Sequence, residues 1–237
     1  MKNLEAPAPL PDDPRQRLIA VAGPVFAENG YSKSTLREIC SSAGVNVAAV
    51  SYYFGDKMGL YREVINHVRT ERERRFPAPA NSEMDEPKIA LWRLIRTMLS
   101  RMLYSEQGNW ETQLLMREMN TPTPAFAELV NEFFRPLFNR LNDAFTRLLG
   151  VETPTHVVEQ LTLSAVGQCL YYRVGQEVVE ILIPQQRLAE NFDLDSLSQH
   201  ITAVMITAAE DARVQQEKQS LAKLIAEQTN PETTHEH

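Results

Sequence analysis

Apolar residues recur three and four positions apart along most of the chain, and no segment alternates apolar and polar as a half-buried strand requires. Leu18, Val21, Ala22, Val25 and Phe26 mark one face of a helix over 15–29, with Gly30 as its stop. Pro24 lies inside that helix, where a missing N–H costs a bond and predicts a kink. Leu36, Ile39 and Cys40 give a second, shorter apolar face. Val47, Val50 and Phe54 give a third, and Tyr61, Val64, Ile65 and Val68 a fourth on a helix over 57–76. Pro77-Ala78-Pro79-Ala80-Asn81-Ser82 then interrupts all periodicity and reads as a domain boundary. Beyond it the pattern predicts helices over 86–106, 109–119, 124–149, 154–183 with a break near Gly175, and 194–218. The expected fold is all-α: a three-helix head over 15–76 and a helical domain over 83–228. A proline-rich arm (1–14) and a polar tail (229–237) flank them, with too little to bury for a packed core.

The stretch 35–54 carries the chemistry. Thr35 and Glu38 form a capping-box pair that opens one helix, and Gly44 permits the left-handed turn that ends it. Asn46 can cap the next helix. Two short helices around a Gly-containing turn form a helix-turn-helix, although an αα-corner without nucleic-acid contacts has the same local pattern. The outer side of the second helix holds Asn46, Ala48, Ala49, Ser51, Tyr52 and Tyr53, with none of the Lys and Glu expected of a face that meets only water. Small residues let a backbone sit deep in a major groove, while an amide and hydroxyls meet base edges or phosphates. Lys57 opens the following helix, where the dipole also favours a phosphate.

Phe26-Ala27-Glu28-Asn29-Gly30-Tyr31, Thr35-Leu36-Arg37-Glu38-Ile39, Ala43-Gly44-Val45 and Tyr52-Tyr53-Phe54-Gly55-Asp56-Lys57 together resemble the DNA-binding domain of TetR/AcrR-type regulators over roughly sixty residues. The resemblance implies a three-helix head whose third helix enters the major groove of a palindromic operator, in a dimer. It places Thr35, Arg37, Asn46, Val47, Ala48, Ala49, Ser51, Tyr52, Tyr53 and Lys57 at the DNA, with Arg37 and the residues from Asn46 to Ser51 toward bases and Tyr53 and Lys57 toward phosphates. Ser51 stands where the family usually has an aromatic, and Ala48-Ala49 replaces Gly-Thr, so fewer base contacts are expected. Asn46-Val47-Ala48-Ala49, Pro122-Thr123-Pro124-Ala125-Phe126 and Gly167-Gln168-Cys169-Leu170-Tyr171-Tyr172-Arg173 look like the CecR-like branch, which implies a repressor that responds to drug-like or aromatic compounds.

The net charge of −7 looks unsuited to DNA until it is divided along the chain. Residues 15–76 hold ten basic and six acidic groups, a balance of +4, whereas residues 77–237 balance at −9. The run Glu71-Arg72-Glu73-Arg74-Arg75 reads as a solvated helix end, with a brush against DNA backbone as the alternative. Cys40 and Cys169 sit among apolar neighbours, as buried thiols of a reducing cytoplasm do, rather than as a disulfide or metal pair. No membrane span and no secretion signal is expected. No nucleophile elbow, phosphate loop or metal-spaced cluster appears, so the reading calls for no enzyme, metal or cofactor.

Met98, Met102, Trp110, Met116 and Phe133, with Arg117 and Arg173 as nearby charges, are candidates for a ligand pocket in the second domain. Plain core is the alternative for the same spacing. Leu194, Leu197, Ile201, Val204 and Ala208 repeat at helix-seam spacing, and Ser164 and Gly167 on the preceding helix are small. They suit a homodimer interface or, equally, packing inside one chain. The expected function is a DNA-binding repressor of the TetR type, released from its operator by a small, largely apolar effector. The alternative is a helical adaptor on the same fold with weak or no specific DNA binding.

Overall fold

The computed structural model describes residues 10–79, 86–103, 110–150 and 153–211, with 218, 221, 222 and 225; every regular element among them is helical. In chain order these are α1 (Pro14–Lys33), α2 (Leu36–Ala43), α3 (Ala48–Phe54), α4 (Lys57–Arg75), α5 (Pro87–Leu103), α6 (Trp110–Asn120) and α7 (Phe126–Leu129). One π-helical turn (Val130–Phe134) leads into α8 (Arg135–Leu149), followed by α9 (Thr155–Val174), α10 (Gln176–Leu182), α11 (Gln185–Asn191) and α12 (Leu194–Glu210). Two readings change in detail. The backbone of α1 leaves helical dihedrals at Gly30 (φ 77°, ψ 164°), not at Pro24, so the chain turns where a residue without Cβ stands. Pro184 creates a separate α11 that periodicity alone does not reveal. The predicted break at Gly175 is present, and α9 and α10 meet there.

The described chain packs as two compact units. One takes the residues up to Ala78 together with Arg101–Leu137; the other takes Pro79–Ser100 and the chain from Phe138. The first unit therefore holds α6, α7 and the π-turn as well as the head. Its core joins Leu18, Phe26, Ile39, Val50, Leu60 and Val64 to Leu114, Leu115 and Leu129. A Cβ on Gly23 of α1 would lie 2.5 Å from the ring of Trp110, so glycine at this position is what lets the indole rest on the helix backbone.

The second unit is an apolar bundle of α5, α8, α9 and α12 around Leu91, Ile95, Met98, Leu141, Phe145, Leu161 and Ile201. Lys88 pairs with Glu210 at 2.7 Å and Arg96 with Asp195 at 2.7 Å, so α5 and α12 run antiparallel with exposed ion pairs near both ends. Between these pairs Trp92 donates its indole N–H to Ser198 Oγ at 3.1 Å. No helix among the described residues is long and apolar enough to cross a membrane.

Candidate nucleic-acid interface

The local chemistry that builds the helix-turn-helix is visible bond by bond. The Glu38 N–H donates to Thr35 Oγ1 at 3.2 Å and starts α2. Gly44 ends it in the left-handed region (φ 64°, ψ 37°), with its N–H directed at the Cys40 and Ser41 carbonyls. The Asn46 side chain accepts from the Ala48 N–H at 2.9 Å, which orders the entry to α3. Asp56 accepts from the Gly59 N–H at 2.8 Å and opens α4. Two of the three apolar positions of α3 anchor it, Val50 fully and Phe54 in part. Val47, expected to point inward, is exposed, because α3 begins only at Ala48 and Val47 lies in the turn before it.

The outward face of this motif is the surface that the sequence singles out. Thr35, Arg37, Asn46, Val47, Ala48, Ser51, Tyr52 and Tyr53 are exposed, and Ala49 is half-buried. Tyr52 is 83% exposed. Its ring meets Tyr53 edge-on at 4.9 Å. Lys57 Nζ sits 4.6 Å over the Tyr31 ring, and partial burial lowers its pKa. Arg15 spans from Glu63 to the Phe54 ring and steadies α1 against the end of α3. Burial raises the Cys40 thiol pKa, as for an inert core cysteine.

Behind this face, α6 grips the two helices that carry it. Arg117 donates to the Ala27 carbonyl at 3.1 Å and the Glu28 carbonyl at 2.8 Å, just before α1 breaks at Gly30. Glu118, 1% exposed, accepts from the Tyr61 hydroxyl at 2.6 Å and from both the N–H and the hydroxyl of Thr123 at 2.8 Å. Burial, and then the Glu118 carboxyl, hold the Tyr61 phenol protonated far above its ordinary range. Arg72, 8% exposed, donates to Thr112 Oγ1 at 2.6 Å and to the Arg101 carbonyl at 3.1 Å, and lies 3.7 Å from Glu111. Arg72 is therefore not part of a solvated end, as its charged run suggests, because α6 and the last turn of α5 cover it. Apart from the Glu118–Thr123 bonds, five positions apart, these contacts span 29 to 90 positions of chain, and no local spacing announces them.

Known proteins place this geometry. The model of "Bacterial regulatory proteins, tetR family" matches residues 18–64, and that of "HTH-type transcriptional dual regulator CecR, C-terminal domain" matches residues 87–209. The chain belongs to the TetR family of transcriptional regulators. The CecR regulator of Shigella flexneri is 27% identical over 176 residues, which cover 70% of this chain and 78% of that one. AcrR of the same organism is 32% identical over 79 residues, covering 30% and 37%. The fold is shared with a transcriptional regulator from Rhodococcus sp. Rha1 at a TM-score of 0.55 and 18% identity, over 82% of this chain and 95% of that one. These relatives are regulators, not enzymes, as the sequence leads one to expect.

The remaining candidates of this TetR-family chain fall in different places. Met102, Trp110, Met116, Arg117 and Phe133 belong to the first unit, while Met98 and Arg173 belong to the second. Trp110 covers Gly23, and Phe133 lines a small cleft beside Ile65 and Leu129. Met98 is core, and the half-buried Arg173 reaches Gln176 at 3.5 Å. Of the seam residues, Leu197 and Ile201 are buried in their own unit, Leu194 and Ala208 are half-buried, and Ser164, Gly167 and Val204 face outward. Leu163, Tyr171 and Val174 on α9 are also exposed.

Proposed function

We propose that this regulator is a homodimeric repressor that binds a palindromic operator in the cytoplasm and leaves it when a small, largely apolar molecule binds the second domain. The observation that carries the reading is the outer face of α3: small residues, an amide and an exposed tyrosine pair on a basic head, with no charged side chain of its own. Arg37 and the stretch from Asn46 to Ser51 read bases, while Tyr53 and Lys57 hold phosphates. A recognition helix of seven residues gains useful affinity by acting twice, on half-sites about 34 Å apart. The outward residues of α9 and α12, Ser164, Gly167 and Val204 among them, form the surface that joins the two copies.

Release follows from the grip of α6. Arg117 holds α1 and Glu118 holds α4 through Tyr61, so a shift of α6 moves both supports of α3 together. An effector acts only through its preference for the shifted state, and a coupling of about 1–3 kcal/mol is typical. Binding of operator then weakens binding of the effector by the same factor.

The deciding experiment is footprinting on the DNA upstream of the chain's own gene, followed by titration with salt. A protected palindrome is expected. Lys57→Ala should weaken binding to all sequences and flatten the salt slope by about one, whereas Arg37→Ala should cost about 1–3 kcal/mol and relax one base pair. Binding that stays equally weak on every fragment would favour the helical adaptor instead.

A further inference from the structure

The end of α9, the short helices α10 and α11 and the start of α12 border an open groove of about 270 Å³. It exists because Gly175 and Pro184 cut what would otherwise be one long helix into two pieces of seven residues each. Neither piece closes over the ring of Tyr172 at the end of α9. That ring faces Phe192 at 6.4 Å between centroids and 61° between planes, a tilted pair with room on its open side. Val179 and Leu188 line the apolar flank, and Glu180 and Gln176 stand on the rim. Gln176 donates to Glu180 Oε1 at 2.9 Å, which orients the carboxylate without neutralising it. Residues 173–195 hold five acidic side chains against Arg173, which reaches Gln176, and Arg187, and Arg96 pairs with Asp195, so the balance of charge around the groove stays negative.

We propose that this groove binds a small aromatic amine. Its ring lies against one of the pair Tyr172 and Phe192, and its protonated nitrogen lies between the Glu180 carboxylate and the face of the other. Three observations point to one occupant. The volume lies just below the roughly 300 Å³ at which drug-sized sites begin, so a single-ring body fits. Two π faces favour an aromatic body and a cation together. The single charged group on the lining is an anion, which selects against a carboxylate-bearing ligand. None of the side chains singled out as pocket candidates by the sequence lines this groove, and only Arg173 neighbours it in the chain. Occupancy by itself needs no DNA; that it acts on the operator rests on the function proposed above.

The test is calorimetry on the full chain with three probes that share one body: 4-phenylbutylamine, 4-phenylbutanol and 4-phenylbutyrate. The amine should bind about tenfold more tightly than the alcohol, the sum of an exposed ion pair and a cation–π contact, and the carboxylate should bind more weakly than either. Glu180→Gln should bring the amine down to the alcohol and leave the alcohol unchanged. Tyr172→Leu with Phe192→Leu keeps an apolar lining and should weaken the amine and the alcohol at least tenfold. Equal affinity for the three heads, retention of the amine preference in Glu180→Gln, or no binding at all would overturn the site. A mobility shift on the footprinted operator is then run with the amine present. Amine binding without release of DNA would leave the groove assigned and refute effector-driven release through it.

Discussion

The two units of this chain treat polar and apolar groups in opposite ways. The first buries ions: Arg72 against Glu111, and Glu118 against Tyr61 and Thr123, all at the surface where α4 meets α6. The second keeps its ion pairs, Lys88–Glu210 and Arg96–Asp195, in water. It exposes apolar side chains instead, among them Ile181 at 84% and Leu182 at 71%. Buried ions contribute little net stability, since desolvation offsets attraction, but they tolerate few arrangements of the helices that carry them. Exposed apolar side chains lower the free energy only when another surface covers them. The first unit is thus built to hold α6 against the head in discrete positions, while the second presents the surface proposed above to join two copies.

The largest expected effect is on association. Leu163→Glu with Val204→Glu places charges on the exposed sides of α9 and α12 without touching the core; under the dimer proposed above, sedimentation should report a dimer for the parent and a monomer for the variant. A dimer that survives both charges would place the interface elsewhere and remove half of the contrast.

The next effect tests burial directly. Arg72→Met leaves the covered Glu111 with Arg75, at 3.5 Å, in place of two cations and takes a donor from Thr112 and from the Arg101 carbonyl, and should cost about 3 kcal/mol in urea unfolding. Arg96→Met, at an exposed pair in the second unit, should cost no more than about 0.5 kcal/mol. Equal losses would mean that the two units do not differ in how they use charge.

Most of the helices, and the helix-turn-helix apart from Val47, were legible in the sequence, because their causes are local. Thr35 with Glu38, Gly44, Asn46 and Asp56 act within three residues of where they stand, and apolar spacing sets each face. What the sequence hides is long-range. Nothing near Arg72 distinguishes it from its solvated neighbours Glu73 and Arg74; only the arrival of Thr112 and Glu111 does so. Gly23 looks like a weak spot in α1 until Trp110 lies on it. Leu197 and Ile201 fit a seam between copies as well as one within a chain, since spacing specifies a face but not its partner. The groove beside Tyr172 needs Phe192 from another helix, and that meeting has no periodic signature.

Tyr61→Phe sharpens the same contrast at smaller scale. The ring and its packing on Phe26 and Tyr31 remain, while Glu118 loses one of its three donors. A hydrogen bond to a charged or buried carboxyl is worth about 2 kcal/mol when one partner is removed. If urea unfolding moves by less than about 0.5 kcal/mol, the Tyr61–Glu118 bond adds nothing to the α4–α6 grip beyond the ring's packing.

The smallest effect lies in the second unit and appears only in alkali. Burial beside the end of α9 pushes the Cys169 thiol up to about 12 from an ordinary 9.0. The folded chain therefore keeps a proton that the unfolded chain releases, so the contribution is complete below pH 9 and fades as pH rises toward 12. At pH 9.5 the loss is about 0.8 kcal/mol, and it steepens toward about 1.4 kcal/mol per pH unit. Cys169→Ala removes this dependence, although it lowers stability at every pH through the lost sulfur contacts. The difference between parent and variant, measured by urea unfolding at pH 7.5 and pH 9.5, should shrink by that amount at the higher pH. A difference that stays constant would mean that water reaches the thiol, and that the apolar bundle around Cys169 is looser than its full burial implies.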